Sequence, residues 1–313
     1  MEDYVFGADI GGTTVKLGLF RDGSLISKSE IPTRTDSGGA FILPDIAGAV
    51  LKELREKKID VNNVAGIGAG VPGAVTDERI VNKCVNLGWG VTDVASELSG
   101  LTGIGNVKAA NDANAAALGE LHFGGGRGCR SMVMLTLGTG VGAGVIIDGK
   151  IVSGAFGAAG EAGHITVSPD EAEACGCGKR GHLEQYASAT GIVRTARKLL
   201  ENTGADSALG NIPGFTARDV FRAAKEGDIT ALTAVDRAAD MLGLACSYIS
   251  CVVDPEAFVI GGGVSLAGDF LLNRIKAAYR KYAFHASEDT EFRLASLGND
   301  AGMYGAAMLI SEE

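Results

Sequence analysis

The sequence predicts an α/β protein that folds into two domains. A strand, a glycine-containing turn and a second strand occur twice, at residues 4–20 and 131–147, and helical patterns follow both occurrences. The length of 313 residues also fits two domains of about 150 residues each. No linker rich in Ser, Pro or charge separates the halves, so we expect the two domains to be closely coupled across a ligand-binding cleft.

Composition and charge disfavour several classes of protein. Hydrophobic residues make up 46% of the chain and charged residues 21%, which is typical of a globular fold. A net charge of −10 disfavours nucleic acid as a partner. The longest uncharged apolar stretches, residues 131–147 and 241–253, are shorter than the roughly 20 residues that span a membrane, and no export signal is recognisable. We therefore expect a cytoplasmic protein with reduced or metal-bound cysteines and no membrane partner.

The first half mixes strands and helices. Asp22-Gly23 matches a type I′ hairpin turn, in which both turn residues have a positive φ. Ile46, Val50 and Leu54 recur at helical spacing and predict a buried helix face. The expected strands are Tyr4–Asp9, Val15–Phe20, Leu25–Ile31, Val64–Val71 and Asn106–Ala110, and the expected helices are Pro44–Lys57 and Asn111–His122.

The second half opens in the same way and then becomes mainly helical. Asp148-Gly149 matches another hairpin turn, and three glycines at 261–263 end the last predicted strand. The expected strands are Ser131–Leu137, Val141–Ile147, Lys150–Ser153 and Glu256–Ile260. The expected helices are Leu183–Glu201, Thr216–Glu226, Asp228–Val253, Asp269–Tyr282 and Ala301–Ile310.

Two glycine loops are candidate phosphate-binding sites. In the first loop, residues 9–16, backbone N–H groups can face phosphate oxygens, a carboxylate can hold Mg²⁺ and a lysine adds a cation. The second loop, residues 136–142, also joins two strands, so it is neither a P-loop nor a dinucleotide fingerprint, both of which open a helix. A plain glycine hairpin is the alternative for the first loop. The candidate residues are Asp9, Gly11, Gly12, Thr13, Lys16, Gly138, Thr139 and Gly140.

Two further motifs end strands and precede helices. Asp112, within the run Asn111–Asn114, is a candidate general base for a hydroxyl, and the helix N-terminus favours its charged form. Simple helix capping is the alternative. Gly262 and Gly263 would let the backbone pass close to a flat ligand such as adenine, although an ordinary strand-to-helix loop is equally consistent with them.

Residues 161–184 contain a candidate metal site. Two imidazoles and two thiolates suit tetrahedral Zn²⁺, and they come from His164, Cys175, Cys177 and His182. Four protein ligands leave no open position, so the zinc would be structural. Glu161 and Glu184 are interleaved with the ligands, and a bound zinc would fix both carboxylates where they can accept hydrogen bonds from sugar hydroxyls. Two free thiols and two surface histidines are the alternative.

In this order, the five motifs resemble the ROK family of sugar kinases and repressors, within the superfamily of actin and hexokinase. The most specific part is Gly-Glu-Ala-Gly-His at 160–164, followed by Cys-Gly-Cys-Gly-Lys-Arg-Gly-His-Leu-Glu at 175–184. The resemblance covers nearly the whole chain and implies two actin-like (ribonuclease H-like) domains. We expect a small domain of residues 1–113 with the C-terminal helix 299–313, and a large domain of residues 114–298 with the zinc-binding segment 161–184.

The resemblance also implies roles for the candidate residues. Asp112 would be the general base that accepts the proton of the sugar hydroxyl under attack. The two loops would hold the phosphates of ATP, with Gly262 and Gly263 beside the adenosine. The third cysteine of the family's metal motif is His182 here, and we expect zinc to persist with weaker binding. Sugar hydroxyls would be bound by Asn111, Asp112, Glu161, His164, Glu184 and the backbone near Gly73.

Three segments narrow the implied activity. Residues 31–35, 85–89 and 183–190 resemble the bacterial glucokinases of the family. We therefore expect phosphorylation of D-glucose to glucose 6-phosphate with ATP and Mg²⁺, by a homodimer or a dimer of dimers. The alternatives are a kinase for fructose, allose, N-acetylmannosamine or N-acetylglucosamine, polyphosphate as donor and, remotely, a sugar-responsive regulator without catalysis. A DNA-binding repressor is disfavoured because the first strand begins at Tyr4, which leaves no room for a preceding DNA-binding extension.

Overall fold

The chain divides into two compact units in the computed structural model, which describes residues 4–203 and 206–311. The first unit comprises Met1–Gly128, Gly144–Gly160 and Leu297–Glu313, and the second comprises Cys129–Ala143 and Glu161–Ser296. The predicted division after residue 113 differs from this one because it falls inside a helix, residues 112–123, that packs within the first unit against the C-terminal helix.

Strands and helices together confirm the predicted α/β class. The strands are β1 (Tyr4–Ile10), β2 (Thr14–Arg21), β3 (Ser24–Pro32), β4 (Val64–Val71), β5 (Val75–Thr76), β6 (Ile80–Val81), β7 (Thr92–Asp93), β8 (Val107–Asn111), β9 (Met132–Leu137), β10 (Val141–Ile147), β11 (Lys150–Ile151), β12 (Ala257–Gly261) and β13 (Glu291–Leu294). The helices are α1 (Ile42–Lys57), α2 (Val94–Thr102), α3 (Asp112–Phe123), α4 (Glu184–Ala187), α5 (Ala189–Thr203), α6 (Ala217–Lys225), α7 (Ile229–Val253), α8 (Asp269–Tyr282) and α9 (Ala301–Ser311).

A five-stranded mixed sheet forms the centre of the first unit. Its order is β3-β2-β1-β4-β8, in which β1, β2 and β3 pair antiparallel and β1, β4 and β8 pair parallel. Asp22 and Gly23, at φ 49° and 75°, form the turn that the sequence predicts between β2 and β3. Both β1 and β8 end where the parallel strands present their carboxyl ends, so Asp9 and Asn111 are placed at one edge of this sheet.

Glycines allow α9 to pack closely against this sheet and against α3. A Cβ atom at Gly68 of β4 would overlap the carbonyl oxygen of Ala306, and one at Gly305 of α9 would overlap that of Ala115. Any larger residue at these positions would push the helix away from its neighbours. On the other face of the sheet, α1 buries the predicted residues Ile46, Val50 and Leu54 against the strands.

The second sheet has the order β11-β10-β9-β12-β13, with β9, β12 and β13 parallel. Helices α5, α6, α7 and α8 belong to the second unit and pack against one another. The predicted single helix 183–201 is wrong: it is divided into α4 and α5 at Ser188, where ψ is 163°. The Ser188 hydroxyl donates to the carbonyl of Glu184 at 2.7 Å, a side-chain bond that competes with continued helix.

Sequence reasoning missed several short elements. The two-residue strands β5, β6 and β7 form a small antiparallel sheet, and they are too short to show an alternating pattern. The helix α2 was signalled by Asp93, whose side chain accepts the N–H of Ser96 at 3.0 Å as an N-cap. Among the helices of residues 4–203 and 206–311, none combines the length and the apolar character that crossing a membrane requires.

Candidate functional site

The first glycine loop joins β1 to β2 and opens towards solvent. The N–H of Gly11 donates to Thr14 at 3.0 Å, and the Thr33 hydroxyl donates to the Gly11 carbonyl at 2.7 Å. Gly12 and Thr13 are exposed, and apart from the two chain neighbours of Gly12 no atom of the described residues lies within 4 Å of a Cβ position there. The loop is thus held by a bond within its own turn and by Thr33, and it leaves room for a ligand above Gly12.

Asp9 is the charged centre of this loop. Burial raises its pKa to about 6, Lys16 acts against that rise, and Asp112 and Asp300 add to it. The strand register pairs Asp9 with Lys16, and Lys16 Nζ donates to the carbonyl of Asn299. A partly buried carboxylate with other carboxylates nearby is suited to a hard cation such as Mg²⁺.

The carboxylate of Asp9 also depends on a glycine in α9. A Cβ atom at Gly302 would lie 2.7 Å from Asp9 Cγ and 2.8 Å from its Oδ1. The absence of a side chain at Gly302 therefore makes the space in which Asp9 sits, at the first turn of α9. Nothing in the spacing of the sequence links these two residues, which lie almost 300 positions apart.

Asn111 and Asp112 lie at the start of α3. The side chain of Asn111 caps the helix, which is the alternative that the sequence left open. Its Oδ1 accepts the N–H groups of Ala113 at 2.9 Å and Asn114 at 3.3 Å, which is an N-cap. Its Nδ2 donates to the carbonyl of Gly73 at 3.2 Å, so the amide joins two of the residues predicted to bind sugar. Asp112 is the first residue of the helix, and its Oδ1 accepts the N–H of Ala113 at 2.8 Å. Roles of Asn111, Asp112 and Gly73 toward a sugar remain predictions.

The second glycine loop, between β9 and β10, is held by residues outside its own hairpin. The N–H of Gly138 donates to Gly140 at 3.0 Å within the loop. The N–H of Ala189, at the start of α5, donates to the Gly138 carbonyl at 2.8 Å, and the Thr190 hydroxyl donates to the Thr139 carbonyl at 2.8 Å. With both carbonyls occupied, the shape of this loop follows the position of α5.

A cavity of about 670 Å³ adjoins this loop within the second unit. Its lining includes Gly138 and Thr139 of the loop and Gly263, which follows β12. Gly262 has φ 80°, and a Cβ atom there would lie 2.5 Å from the Leu137 carbonyl oxygen, so only glycine fits this approach of two backbones. Gly138, Thr139, Gly262 and Gly263 are therefore gathered at one end of the sheet, as expected for a nucleotide site.

Sequence reasoning missed the contribution of α6 to this cavity. Arg218, Phe221, Arg222 and Lys225 line its other side. The cations at positions 218, 222 and 225 recur at helical spacing and therefore form one stripe, which is a signal that the sequence did contain. An aromatic ring with three cations suits a flat base and its phosphates.

The four predicted metal ligands lie together in the second unit. Their donor atoms are all within 4.8 Å of one another, with His182 Nδ1 3.2 Å from His164 Nδ1 and 3.3 Å from Cys177 Sγ. Tetrahedral zinc with bonds of about 2.0–2.3 Å keeps its ligand atoms roughly 3.3–3.8 Å apart, so this donor set fits the ion. Burial lowers the pKa of His182 and raises the pKa of Cys175, so the imidazole is neutral, as a ligand must be, and the thiol would release a proton on binding.

The two interleaved carboxylates differ in their surroundings. Glu161 Oε2 lies 3.8 Å from His164 Nε2, the ring nitrogen that points away from the cluster. Glu184 Oε2 accepts the N–H of Val141 at 3.1 Å, and its Oε1 lies 3.8 Å from Cys175 Sγ. Glu184 therefore touches both the metal cluster and the second glycine loop. Sugar binding by Glu161, His164 and Glu184 remains a prediction.

Comparisons with known proteins identify the family. The model of the ROK family matches residues 5–313. The chain is 43% identical to a glucokinase of Halalkalibacterium halodurans, over 98% of this chain and 94% of that one. It is also similar to the crystal structure of a ROK family glucokinase from Streptomyces griseus in complex with glucose and AMPPNP, with a TM-score of 0.77 and 34% identity over 99% and 100% of the two chains. A ROK hexokinase from Thermus thermophilus gives a TM-score of 0.81 and 34% identity over 97% of each chain.

Proposed function

Since the chain belongs to the ROK family, we propose that it is an ATP-dependent kinase that phosphorylates D-glucose to glucose 6-phosphate. The observation that carries this proposal is the near full-length identity of 43% with a glucokinase. Segments 31–35, 85–89 and 183–190 resemble the glucokinases of the family, which favours this activity over the family's other activities.

We propose that the two glycine loops hold the donor. In the first unit, the N–H groups around Gly12 and the hydroxyl of Thr13 face the terminal phosphates, and Asp9 holds Mg²⁺ directly or through water. The cation supplies charge neutralisation for the phosphoryl group during transfer. In the second unit, the backbone N–H groups of Thr139 and Gly140 approach the phosphates, while the N–H of Gly138 closes the turn and the cavity beside Gly263 and α6 accepts the adenosine.

On the acceptor side, we propose that Asp112 is the general base. It orients the 6-hydroxyl of glucose and accepts its proton as the oxygen attacks the γ-phosphorus in line with the leaving ADP. The hydroxyl oxygen forms the new P–O bond, the bond to the bridging oxygen of ADP breaks, and the proton goes to the carboxylate. Asn111, the Gly73 backbone, Glu161, His164 and Glu184 are proposed to bind the sugar hydroxyls, and most of the catalysis is then positioning.

We also propose structural zinc at His164, Cys175, Cys177 and His182. The ion would fix the loops between its ligands and hence the carboxylates that follow them. Metal analysis of the purified protein tests this directly: about one zinc per chain is expected. Replacing Cys177 by Ser should release the ion, and folded wild-type protein without any bound metal would contradict the assignment.

Finer statements about the assembly and the location are also proposals. We propose a cytoplasmic homodimer or dimer of dimers, as the family resemblance implies. Light scattering coupled to size-exclusion chromatography tests the assembly, and a mass equal to one chain of 31.9 kDa would contradict it.

An assay of sugar-phosphate formation, with ATP or polyphosphate as donor, tests the activity against glucose, fructose, mannose, allose, N-acetylglucosamine and N-acetylmannosamine. A clear preference for glucose is expected. Activity on another sugar would keep the mechanism and overturn the substrate. If ATP fails on every sugar and polyphosphate succeeds, the donor assignment is wrong; if both fail with Asp112 intact, the protein is not a sugar kinase.

A further inference from the structure

The segment Glu184–Thr190 lies between the metal cluster and the second glycine loop. Building on the proposed function, we propose that this segment is a positioning element that couples occupancy of the metal cluster to binding of the phosphoryl donor. Metal binding would fix the positions of Glu184 and Gln185. Through Glu184, Ala189 and Thr190, it would also fix the backbone of Gly138–Val141. Zinc would then tune donor affinity in addition to supporting the sugar site.

On the metal side, the segment is tied to the cluster by three contacts. Glu184 Oε1 lies 3.8 Å from Cys175 Sγ. The N–H of His182 donates to Gln185 Oε1 at 3.1 Å, and Gln185 Nε2 donates to the carbonyl of Glu173 at 3.0 Å. Gln185 is only 8% exposed, so its amide holds both ends of the metal-binding turn in a place where water cannot replace the bonds.

On the donor side, three further contacts join the segment to the glycine loop. Glu184 Oε2 accepts the N–H of Val141, Ala189 donates to Gly138, and Thr190 donates to Thr139. These bonds involve every residue from Gly138 to Val141 except Gly140. At Gly140 the fit is close, because a Cβ atom there would overlap Glu184 Oε2.

The two sets of contacts share a rigid connection. Residues 182–188 are buried except for the partly exposed Glu184, and the Ser188 hydroxyl fixes the break between α4 and α5 through bonds to Glu184 and Gly191. Gly191 packs directly on the carbonyls of Glu184 and Gln185, where a Cβ atom would not fit. A shift of the metal-binding turn would therefore move α4 and the start of α5 together, and the loop with them.

Donor binding without sugar tests the coupling and separates it from the proposed sugar contact of Glu184. Calorimetry should show that chelation of zinc weakens ADP binding to the wild type by about threefold to tenfold, a coupling of about 1 kcal/mol. By reciprocity, ADP should raise the equilibrium affinity for zinc by the same factor, measured by competition with a chromogenic chelator. Equal ADP affinity with and without zinc would overturn the proposal while leaving the kinase activity intact. If the zinc-loaded wild type binds no ADP, the proposed function itself fails.

Two variants locate the path. The Gln185→Ala variant leaves the residues of the nucleotide loop and the proposed sugar ligands unchanged, but its ADP affinity should no longer depend on zinc. The Gln185→Glu variant keeps an acceptor for the N–H of His182 and should retain part of the zinc dependence. Thr190→Val should weaken ADP binding about threefold by removing one bond to the loop. Thr195→Val is the matched control, since among the described residues the Thr195 hydroxyl bonds to Gly191 within α5, at 2.9 Å, and not to the loop. Equal ADP affinities of the two threonine variants would contradict the path.

Discussion

The two glycine loops share one strand–turn–strand pattern and differ in what surrounds them. The loop at residues 9–16 is held by a bond within its own turn and by Thr33, and it carries ionisable groups, with Asp9 at a raised pKa of about 6. The loop at residues 136–142 contains no ionisable side chain and is held by bonds from Glu184, Ala189 and Thr190.

The two loops therefore contribute different properties to the proposed site, although their strand–turn–strand patterns are similar. The first loop supplies charge, which can neutralise phosphate and hold a cation at one point. The second loop supplies shape, because its backbone groups are aimed only if the neighbouring segment holds them. Changes to charge should therefore affect the chemistry near the first loop, and changes to packing should affect binding or folding at the second.

The largest effect is expected from Asp112, which lies in the same unit as the first loop. Asp112→Asn should lower kcat by about 10²–10⁴-fold, because the amide cannot accept the proton of the sugar hydroxyl. Glucose affinity, measured by calorimetry, should change little, since the side chain keeps its size. A variant that retained most of its turnover would show that another residue is the general base. The first unit would then lose the chemical role proposed for it.

Packing beside the second loop is tested by neighbouring glycines. Gly262→Ala should lower the free energy of unfolding by about 2–4 kcal/mol, since φ is 80° and the new Cβ atom would lie 2.5 Å from the Leu137 carbonyl oxygen. Gly263→Ala is the control, because the described residues leave its Cβ position open. Urea unfolding of both variants without nucleotide gives the comparison. Similar losses of stability in the two variants would contradict a close contact between the backbones of Gly262 and Leu137.

The loops themselves can be compared through one glycine of each. Gly140→Ala would displace Glu184 Oε2 from the N–H of Val141, and we expect a loss of about 1–2 kcal/mol in stability from that partly buried bond. Gly12→Ala should change the stability of the nucleotide-free protein by less than about 0.5 kcal/mol, since the space above it is open. Thermal unfolding without ligand measures both, and a larger loss at Gly12 would reverse the contrast.

The sequence predicted the loops but not their difference. Strand periodicity, the Asp-Gly turns and the glycine runs placed β1, β2, β9 and β10 within a residue of their observed ends. Which groups hold each loop depends on contacts between distant residues, such as Gly302 beside Asp9 and Thr190 beside Thr139. Such contacts leave no local period, so a single sequence cannot reveal them.

The metal cluster was more predictable than the nucleotide cavity. Its ligands, residues 164–182, lie in one short segment, and their chemistry restricts the possible use of two thiols and two imidazoles. The nucleotide cavity combines residues from four separate parts of the chain, and cations at helical spacing such as those of α6 are also typical of a solvated helix face. Zinc itself remains a proposal, as do the roles assigned to the sugar-binding residues.

The smallest effect concerns the charge of the first loop and its dependence on pH. If ionised Asp9 holds the cation of the donor, affinity for Mg²⁺-ADP should rise as pH increases through its pKa of about 6. The ionised fraction falls about fourfold between pH 7.5 and pH 5.5, and that is the expected contribution of Asp9 to the loss of affinity. Asp9→Asn is the control, because the pH dependence of its Mg²⁺-ADP affinity retains only the titration of the nucleotide.

Stability should follow the opposite course, which distinguishes Asp9 from a group that titrates only in the ligand. A carboxyl group whose pKa is raised from 3.8 to about 6 by folding favours the folded state at acid pH, where it is neutral. This contribution is complete below about pH 4 and is lost as pH rises through 6, so Asp9→Asn should stabilise the nucleotide-free protein most at neutral pH. Equal gains at pH 4 and pH 7 would show that burial of this charge is not what sets the first loop apart from the second.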